Sequence, residues 1–174
     1  MYSNADEVSI INAPIANFSV PLESGAAPFT VPVTNQSALA TKYIWKSGVA
    51  NQPPIEAYSP SFTYSDLGEY TIELEASNEL NCKDVMQQKI YVVVPEINAA
   101  ITDFQLEKIP GSTSWNPVVT LENKSNIALI DPVLYLDISG NSVISEQIAG
   151  IIKPNQSITH TFSAKIAPRS VQYA

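Results

Sequence analysis

The sequence predicts an all-β chain of two tandem β-sandwiches, and three observations predict it. The run Glu69-Tyr70-Thr71-Ile72-Glu73-Leu74-Glu75-Ala76 alternates strictly, with Tyr70, Ile72, Leu74 and Ala76 on one side and Thr71, Glu73, Glu75 and Ser77 on the other. A period of two with one apolar side is a half-buried strand. Short segments of this kind recur along the chain, separated by turn residues. The 174 residues include 13 Pro and only 6 Gly, with abundant Val, Ile, Thr and Tyr. No segment sustains a helical period with caps.

Taken in order, strands are expected at Val8–Ala13, Ala16–Val20, Phe29–Asn35, Lys42–Lys46, Ser61–Tyr64, Glu69–Asn78 and Val85–Val94. Glu23-Ser24-Gly25, Gln52-Pro53-Pro54 and Glu79-Leu80-Asn81 carry the turn chemistry between them. Trp45 lies about 25 residues before Tyr70, on its own alternating segment. A core Trp and a Tyr at the strand corner are placed in this way in an immunoglobulin-like sandwich. The expected core is therefore Trp45, Tyr70, Ile72 and Leu74. Ile72 stands where an antibody domain would have a Cys, so packing alone must hold this sandwich.

The pattern restarts after Val92-Val93-Val94-Pro95-Glu96. Ala99–Lys108, Pro117–Asn123, Pro132–Ser139, Ser142–Ile148 and Ser157–Ile166 read as strands, with Leu134, Leu136 and Ile138 on the core face. The turns are Pro110-Gly111-Ser112, Glu122-Asn123-Lys124-Ser125, Ser139-Gly140-Asn141 and Lys153-Pro154-Asn155. The expected domains are 8–95 and 96–174, joined by a short, stiff, proline-bearing link. Only one strand, Ser170–Ala174, remains to close the second sandwich. Either the natural chain continues, or a partner supplies the missing strand to an open sheet edge.

The net charge is -8, from 17 acidic and 9 basic residues. Ten acids and four bases fall in residues 1–95, and seven and five in the remainder. No basic patch is available for phosphates, which excludes a nucleic-acid partner, and anionic membrane surfaces are repelled. No apolar run reaches the ~20 residues of a membrane-spanning helix. Cys82 is the only cysteine, so no disulfide forms within the chain. The polar start, Met1-Tyr2-Ser3-Asn4-Ala5-Asp6-Glu7, lacks a signal-peptide pattern and is read as the start of an internal fragment of a secreted protein.

The first domain resembles a PKD domain, the polycystic-kidney-disease type of immunoglobulin-like module. The similarity rests on Pro14 and Phe18, on Gly25 and Pro28, and on Val31-Pro32-Val33-Thr34-Asn35-Gln36-Ser37. It continues through Tyr43-Ile44-Trp45, Phe62-x-Tyr64, Leu67-Gly68-Glu69-Tyr70-Thr71-Ile72, Ala76-Ser77-Asn78, Asn81-Cys82-Lys83-Asp84 and Ile90-Tyr91-Val92. The family's W-D-F-G-D-G is here Trp45-Lys46-Ser47-Gly48-Val49-Ala50, so both acids are absent and any ion role of that loop lapses. The second domain is similar to an adhesion-type immunoglobulin-like domain of bacterial surface proteins. Pro117-Val118-Val119-Thr120-Leu121-Glu122-Asn123 and Gly150-Ile151-Ile152-Lys153-Pro154-Asn155-Gln156-Ser157 carry that likeness. Asn155 replaces a Gly there, and Asn tolerates the left-handed conformation. Such pairs resemble segments of large surface adhesins, including gliding-motility adhesins exported by type IX secretion.

Each chemically suggestive residue has a structural reading beside its functional one. Glu73 and Glu75 stand about 7 Å apart on one strand face, a spacing compatible with glycoside hydrolysis, but an outward sheet face explains them. His160 is in phase with Ile158 and Phe162 and is expected to face inward; no serine elbow accompanies it. Cys82 reads as a free turn thiol. Asp66, Glu69 and Asp84 lack the dense acidic loop that calcium requires. The Asn-x-Ser triplets at Asn17, Asn35, Asn123 and Asn155 read as turn chemistry. Tyr58, Trp115 and Tyr2 fall in expected loops; as exposed aromatics they are candidates for stacking on a sugar, and Trp115 alternatively for the domain junction.

The resulting expectation is a non-enzymatic segment with no catalytic residue, cofactor or metal. It belongs outside a bacterial cell or on its surface, as a spacer, display or protein-docking module. Its partners are other surface or secretion-machinery proteins, bound by strand addition at the second domain, with glycan as a further partner class. The competing expectation is a carbohydrate-binding or accessory module of a secreted hydrolase.

Overall fold

A computed structural model describes residues 12–138 and 142–167. The described residues contain sixteen strands and no helix. They form two compact units, one of residues 12–23 and 27–92, the other of residues 24–26, 93–138 and 142–167. The strands of the first sequence half are β1 (Phe18–Ser19), β2 (Ser24–Gly25), β3 (Phe29–Pro32), β4 (Thr34–Asn35), β5 (Lys42–Lys46), β6 (Ile55–Glu56), β7 (Ser61–Tyr64), β8 (Gly68–Ser77) and β9 (Lys83–Val92). Those of the second are β10 (Ala99–Lys108), β11 (Trp115–Asn123), β12 (Leu129–Ile130), β13 (Val133–Ile138), β14 (Ser142–Gln147), β15 (Ile151–Ile152) and β16 (Ser157–Thr161).

In the first unit one layer runs β9-β8-β5-β6, all antiparallel. The other layer holds the pairs β3-β7 and β1-β4. Fourteen buried residues fill the space between them. Trp45, Ile72, Leu74, Ala76 and Ile90 come from the first layer and Phe18, Phe29, Val31, Phe62 and Tyr64 from the second. Trp45 is fully buried and meets Phe18 edge to face, ring centroids 5.1 Å apart. Its indole N–H donates to the Ala57 carbonyl at 2.8 Å. Tyr70 sits at the core margin, half-buried, with its ring 4.4 Å from that of Tyr64. Its hydroxyl donates to the Asp66 carbonyl at 2.9 Å, which ties the corner to the strand it begins.

The turn after Trp45 has little room. Gly48 has φ +81° and its Cα faces the backbone of Thr71; a Cβ there would stand 2.6 Å from Thr71 N and 2.7 Å from Thr71 O. Glycine alone suits both the angle and the gap. The buried Tyr64 hydroxyl donates to the neighbouring Ser47 carbonyl at 2.9 Å. Burial pushes the phenol up to about 12, with Tyr70 adding to the effect.

In the second unit the main sheet runs β10-β11-β16, with ladders β12-β15 and β13-β14 besides. Leu121, Ile148 and Ile152 form its buried cluster, with Leu129, Leu134 and Ile158 packed on it. Asn123 ends β11 fully buried. Its amide donates to the carbonyls of Ile127 and Ile152 at 2.9 and 2.8 Å, and its oxygen accepts from Ser125 N at 2.8 Å. Asn155 takes φ +61°, the left-handed conformation expected of it.

Several expected elements change. Phe29–Asn35 is two strands, because Pro32 ends the β3 ladder and β4 then pairs with β1 instead. Ser24–Gly25 is a short strand, not a turn, and β6, β12 and β15 arise where turns or nothing were expected. These pieces of two residues carry no readable alternation. Trp115 opens β11 rather than lying in a loop. Residues 8–11 of the Val8–Ala13 strand, the turn Ser139-Gly140-Asn141, the strand Ser170–Ala174 and Tyr2 lie outside the described residues.

Gly48→Ala is expected to destabilise the first unit by about 2 kcal/mol or more, read from the denaturation midpoint. The Tyr64 phenol has its pKa raised on folding, so its contribution is complete below the ordinary value near 10.0 and is lost as pH rises towards about 12. Tyr64→Phe should therefore remove that alkaline loss of stability, seen as a flatter melting-temperature profile above pH ~10.

Candidate functional site

The outer face of β8 holds the two carboxylates at hydrolytic spacing, and both are engaged. Glu73 accepts from Lys46 Nζ at 2.5 Å and from Gln87 Nε2 at 2.6 Å. Glu75 accepts from Lys83 Nζ at 2.6 Å. The Lys46 contact, then Gln87, holds the Glu73 carboxyl below its ordinary value. A glycosidic general acid needs a raised value instead. The pair is a cross-strand ionic ladder on a solvated face.

Asp66, Glu69 and Asp84 do not meet. Asp84 accepts from Ala16 N at 2.8 Å and Glu69 pairs with Lys89 at 2.6 Å. Asp84 lies opposite Ala76 and Gly68 opposite Val92, so the two ends of the hairpin are roughly 27 Å apart. Among the described residues no three His, Cys, Asp or Glu side chains gather to hold a metal ion. No helix of the described residues is long and apolar enough to cross a membrane. Cys82 is exposed in the turn between β8 and β9, its amide donating to Asn78 Oδ1 at 3.1 Å.

His160 lies opposite Val119, a buried residue, and so shares the inner face of the β10-β11-β16 sheet. Glu146 of β14 meets it, Nε2 to Oε2 at 2.9 Å. The other Glu146 oxygen accepts from the Ser163 hydroxyl at 2.6 Å and the Ser163 amide at 2.9 Å. The His160 ring stands edge to face with Phe162, centroids 5.1 Å apart. In a hydrolytic triad the histidine stands between hydroxyl and carboxylate. Here the carboxylate stands in the middle, so the cluster is a clasp between β14 and the β16 segment. The Ser163 hydroxyl lowers the Glu146 carboxyl below its ordinary value against opposing burial, and His160 and the amides of Ser163 and Ala164 lower it further. The alternation Ile158-x-His160-x-Phe162 marks the inward face; only the folded chain supplies Glu146 as its partner.

Two of the Asn-x-Ser triplets are Asx turns that end strands. Asn35 Oδ1 accepts from Ser37 N at 2.9 Å, as Asn123 does from Ser125, and both asparagines are buried. Asn17 and Asn155 are exposed.

The aromatic candidates separate. Trp115 is half-buried and bridges Ile166, with backbone hydrogen bonds in both directions at 2.8 and 2.9 Å. Tyr58 is 64% exposed and meets Tyr43 edge to face at 5.4 Å. An open cavity of about 350 Å³ is lined by Thr41, Lys42, Tyr43, Glu56, Ala57 and Tyr58.

The main surface feature of the second unit is β10. Among the described residues its one neighbouring strand is β11, which leaves the other backbone edge open. Ile101, Phe104 and Leu106 lie opposite Leu121, Val119 and Pro117, all buried, and so point to the inner face. A register shift between Ile101 and Asp103 makes that phase possible, since three residues separate Ile101 from Phe104. The three side chains are nevertheless 52%, 50% and 44% exposed.

No protein-family model matches this chain, and no curated protein matches it. Solved structures do. The PKD1 domain of Vibrio anguillarum Epp is 24% identical over 49% of this chain and 99% of its own, with a TM-score of 0.41. The PKD1 domain of the Vibrio cholerae metalloprotease PrtV is 24% identical over 48% of this chain and 100% of its own, with a TM-score of 0.40. A carbohydrate-binding module of the β-sandwich superfamily is 11% identical over 94% of this chain and 88% of its own, with a TM-score of 0.45.

Because the Glu146 carboxyl is lowered on folding, its contribution is present above the ordinary value of 4.5 and lost as pH falls through the lower folded value. Glu146→Gln should remove this part of the acid sensitivity of the second unit. Carbon-detected NMR of the Glu146 carboxyl should show Ser163→Ala raising its titration midpoint more than His160→Gln does; the reverse order would contradict the assigned cause.

Proposed function

We propose that the chain is a non-catalytic segment of an extracellular or bacterial cell-surface protein, adhesin-like, that spaces, displays or docks. The carrying observation is β10: a ten-residue edge strand with its apolar inner side chains half open to solvent. Long open edges with apolar side chains are sites of strand pairing, and natural sheets otherwise cover or charge them. A captured strand would extend β10-β11-β16 by main-chain hydrogen bonds, and its alternate side chains would cover Ile101, Phe104 and Leu106. The expected partners are other proteins of the surface or the secretion machinery.

The division into two domains at the stretch around Pro95 belongs to the same reading. The residue likenesses to PKD and adhesion-type modules support a surface adhesin as parent, of the gliding-motility kind exported by type IX secretion. The ion-paired Glu73 and Glu75 and the carboxylate-centred His160 cluster support a non-catalytic role.

Extended peptides of ten residues with apolar residues at alternate positions test this reading by titration into the isotope-labelled chain. Saturable amide shifts along Ala99–Lys108 are expected, and the doubly substituted F104K/L106K chain, still folded by spectral dispersion, should lose them at least about tenfold. Peptide binding that spares β10, or binding undiminished in the double variant, would sink the proposal.

A further inference from the structure

We propose that the open cavity beside Tyr58 in the first unit is a binding site for a neutral hexopyranose of a glycan. Tyr58 is the most exposed aromatic among the described residues of that unit. An exposed tyrosine on a loose loop would carry little meaning, but this one is held. The preceding carbonyl, Ala57 O, accepts the Trp45 indole N–H at 2.8 Å, which anchors the segment to the core. Tyr43 buttresses the ring edge to face at 5.4 Å, and Tyr43 is itself fixed, its hydroxyl donating to Ala40 O at 2.8 Å. The open face of Tyr58 is thus a preorganised apolar platform, which lowers the ordering cost of binding.

The polar groups around it suit a sugar edge. Lys42 Nζ and Glu56 Oε2 are 3.2 Å apart, both side chains at least half exposed. An exposed ion pair of this kind contributes little to stability, so its donors and acceptor are available to a ligand at small cost. Lysine only donates and the carboxylate only accepts, whereas a sugar hydroxyl does both. One hydroxyl edge can therefore satisfy the pair while the C–H face of the ring lies on Tyr58. The six lining residues carry one positive and one negative charge, so the site is neutral. On a chain of net charge -8 this favours a neutral sugar over an anionic one. The cavity of about 350 Å³ is at the small end for a ligand site, enough for one or two rings, with dissociation constants on the order of 1 mM.

The site uses no residue of β10, so its failure and that of strand addition are told apart. The test is titration of the full isotope-labelled chain with cellobiose, maltose, lactose and diacetylchitobiose, with oligogalacturonate as the anionic control. Saturable shifts are expected at the amides of Thr41–Tyr43 and Glu56–Tyr58 with at least one neutral probe. Tyr58→Ala should weaken binding at least threefold, Tyr58→Phe should keep it within twofold, and Glu56→Gln should weaken it. No saturable shift at these amides, shifts centred elsewhere, a loss below threefold in Tyr58→Ala, or equal binding of the anionic probe would each overturn the assignment.

Discussion

The first unit depends on the burial of one indole. Trp45 is fully buried between the two layers, and removing such a side chain from a core typically costs about 3–5 kcal/mol. Its N–H must find an acceptor inside, and the carbonyl of Ala57 is that acceptor. Meeting that need brings the chain back as β6 beside β5. The next turn is then constrained twice. Gly48 must let the Thr71 backbone approach, and Ser47 must offer its carbonyl to the buried Tyr64 hydroxyl. Trp45, Gly48, Tyr64 and Tyr70 therefore act as one assembly, although they lie on different strands or turns. None of the contacts within this assembly uses a side-chain carboxylate.

The second unit meets the same problem by polar means. Among the described residues its buried apolar cluster is centred on Leu121, Ile148 and Ile152, and Asn123 beside it makes three hydrogen bonds to backbone groups. A buried amide with its bonds made fixes strand ends relative to each other. Asn35 in the first unit makes the same Asx turn, but among the described residues its amide nitrogen has no hydrogen-bond partner. There the large apolar core carries the stability, and the asparagine only ends the strand. The His160–Glu146–Ser163 clasp adds a further polar tie in the second unit.

Much of the architecture was legible from alternation. Lys42–Lys46, Ser61–Tyr64 and Ala99–Lys108 run over the same residues that the sequence marks out as strands. Leu134 and Leu136 are the more buried side of β13, as their phase implied. The corner position of Tyr70 was legible too, since the turn before it is local. The two-residue strands β2, β6, β12 and β15 were not, because pairing between distant segments creates them and they have no period of their own. The phase of β10 was obscured for a different reason: a bulge between Ile101 and Asp103 breaks the count of two.

By itself, the sequence determined that this chain is built of strands and, wherever the period of two is unbroken, which faces are apolar, because those are properties of neighbours within a few positions. Which charges meet was decided only by the tertiary structure: Glu73 with Lys46, Glu146 with His160 and Ser163, Lys42 with Glu56. So were the open edge of β10 and the buttressed ring of Tyr58. The physical reason is that a surface exists only once layers have packed; period and turn chemistry say which way a side chain points, and not what stands opposite it.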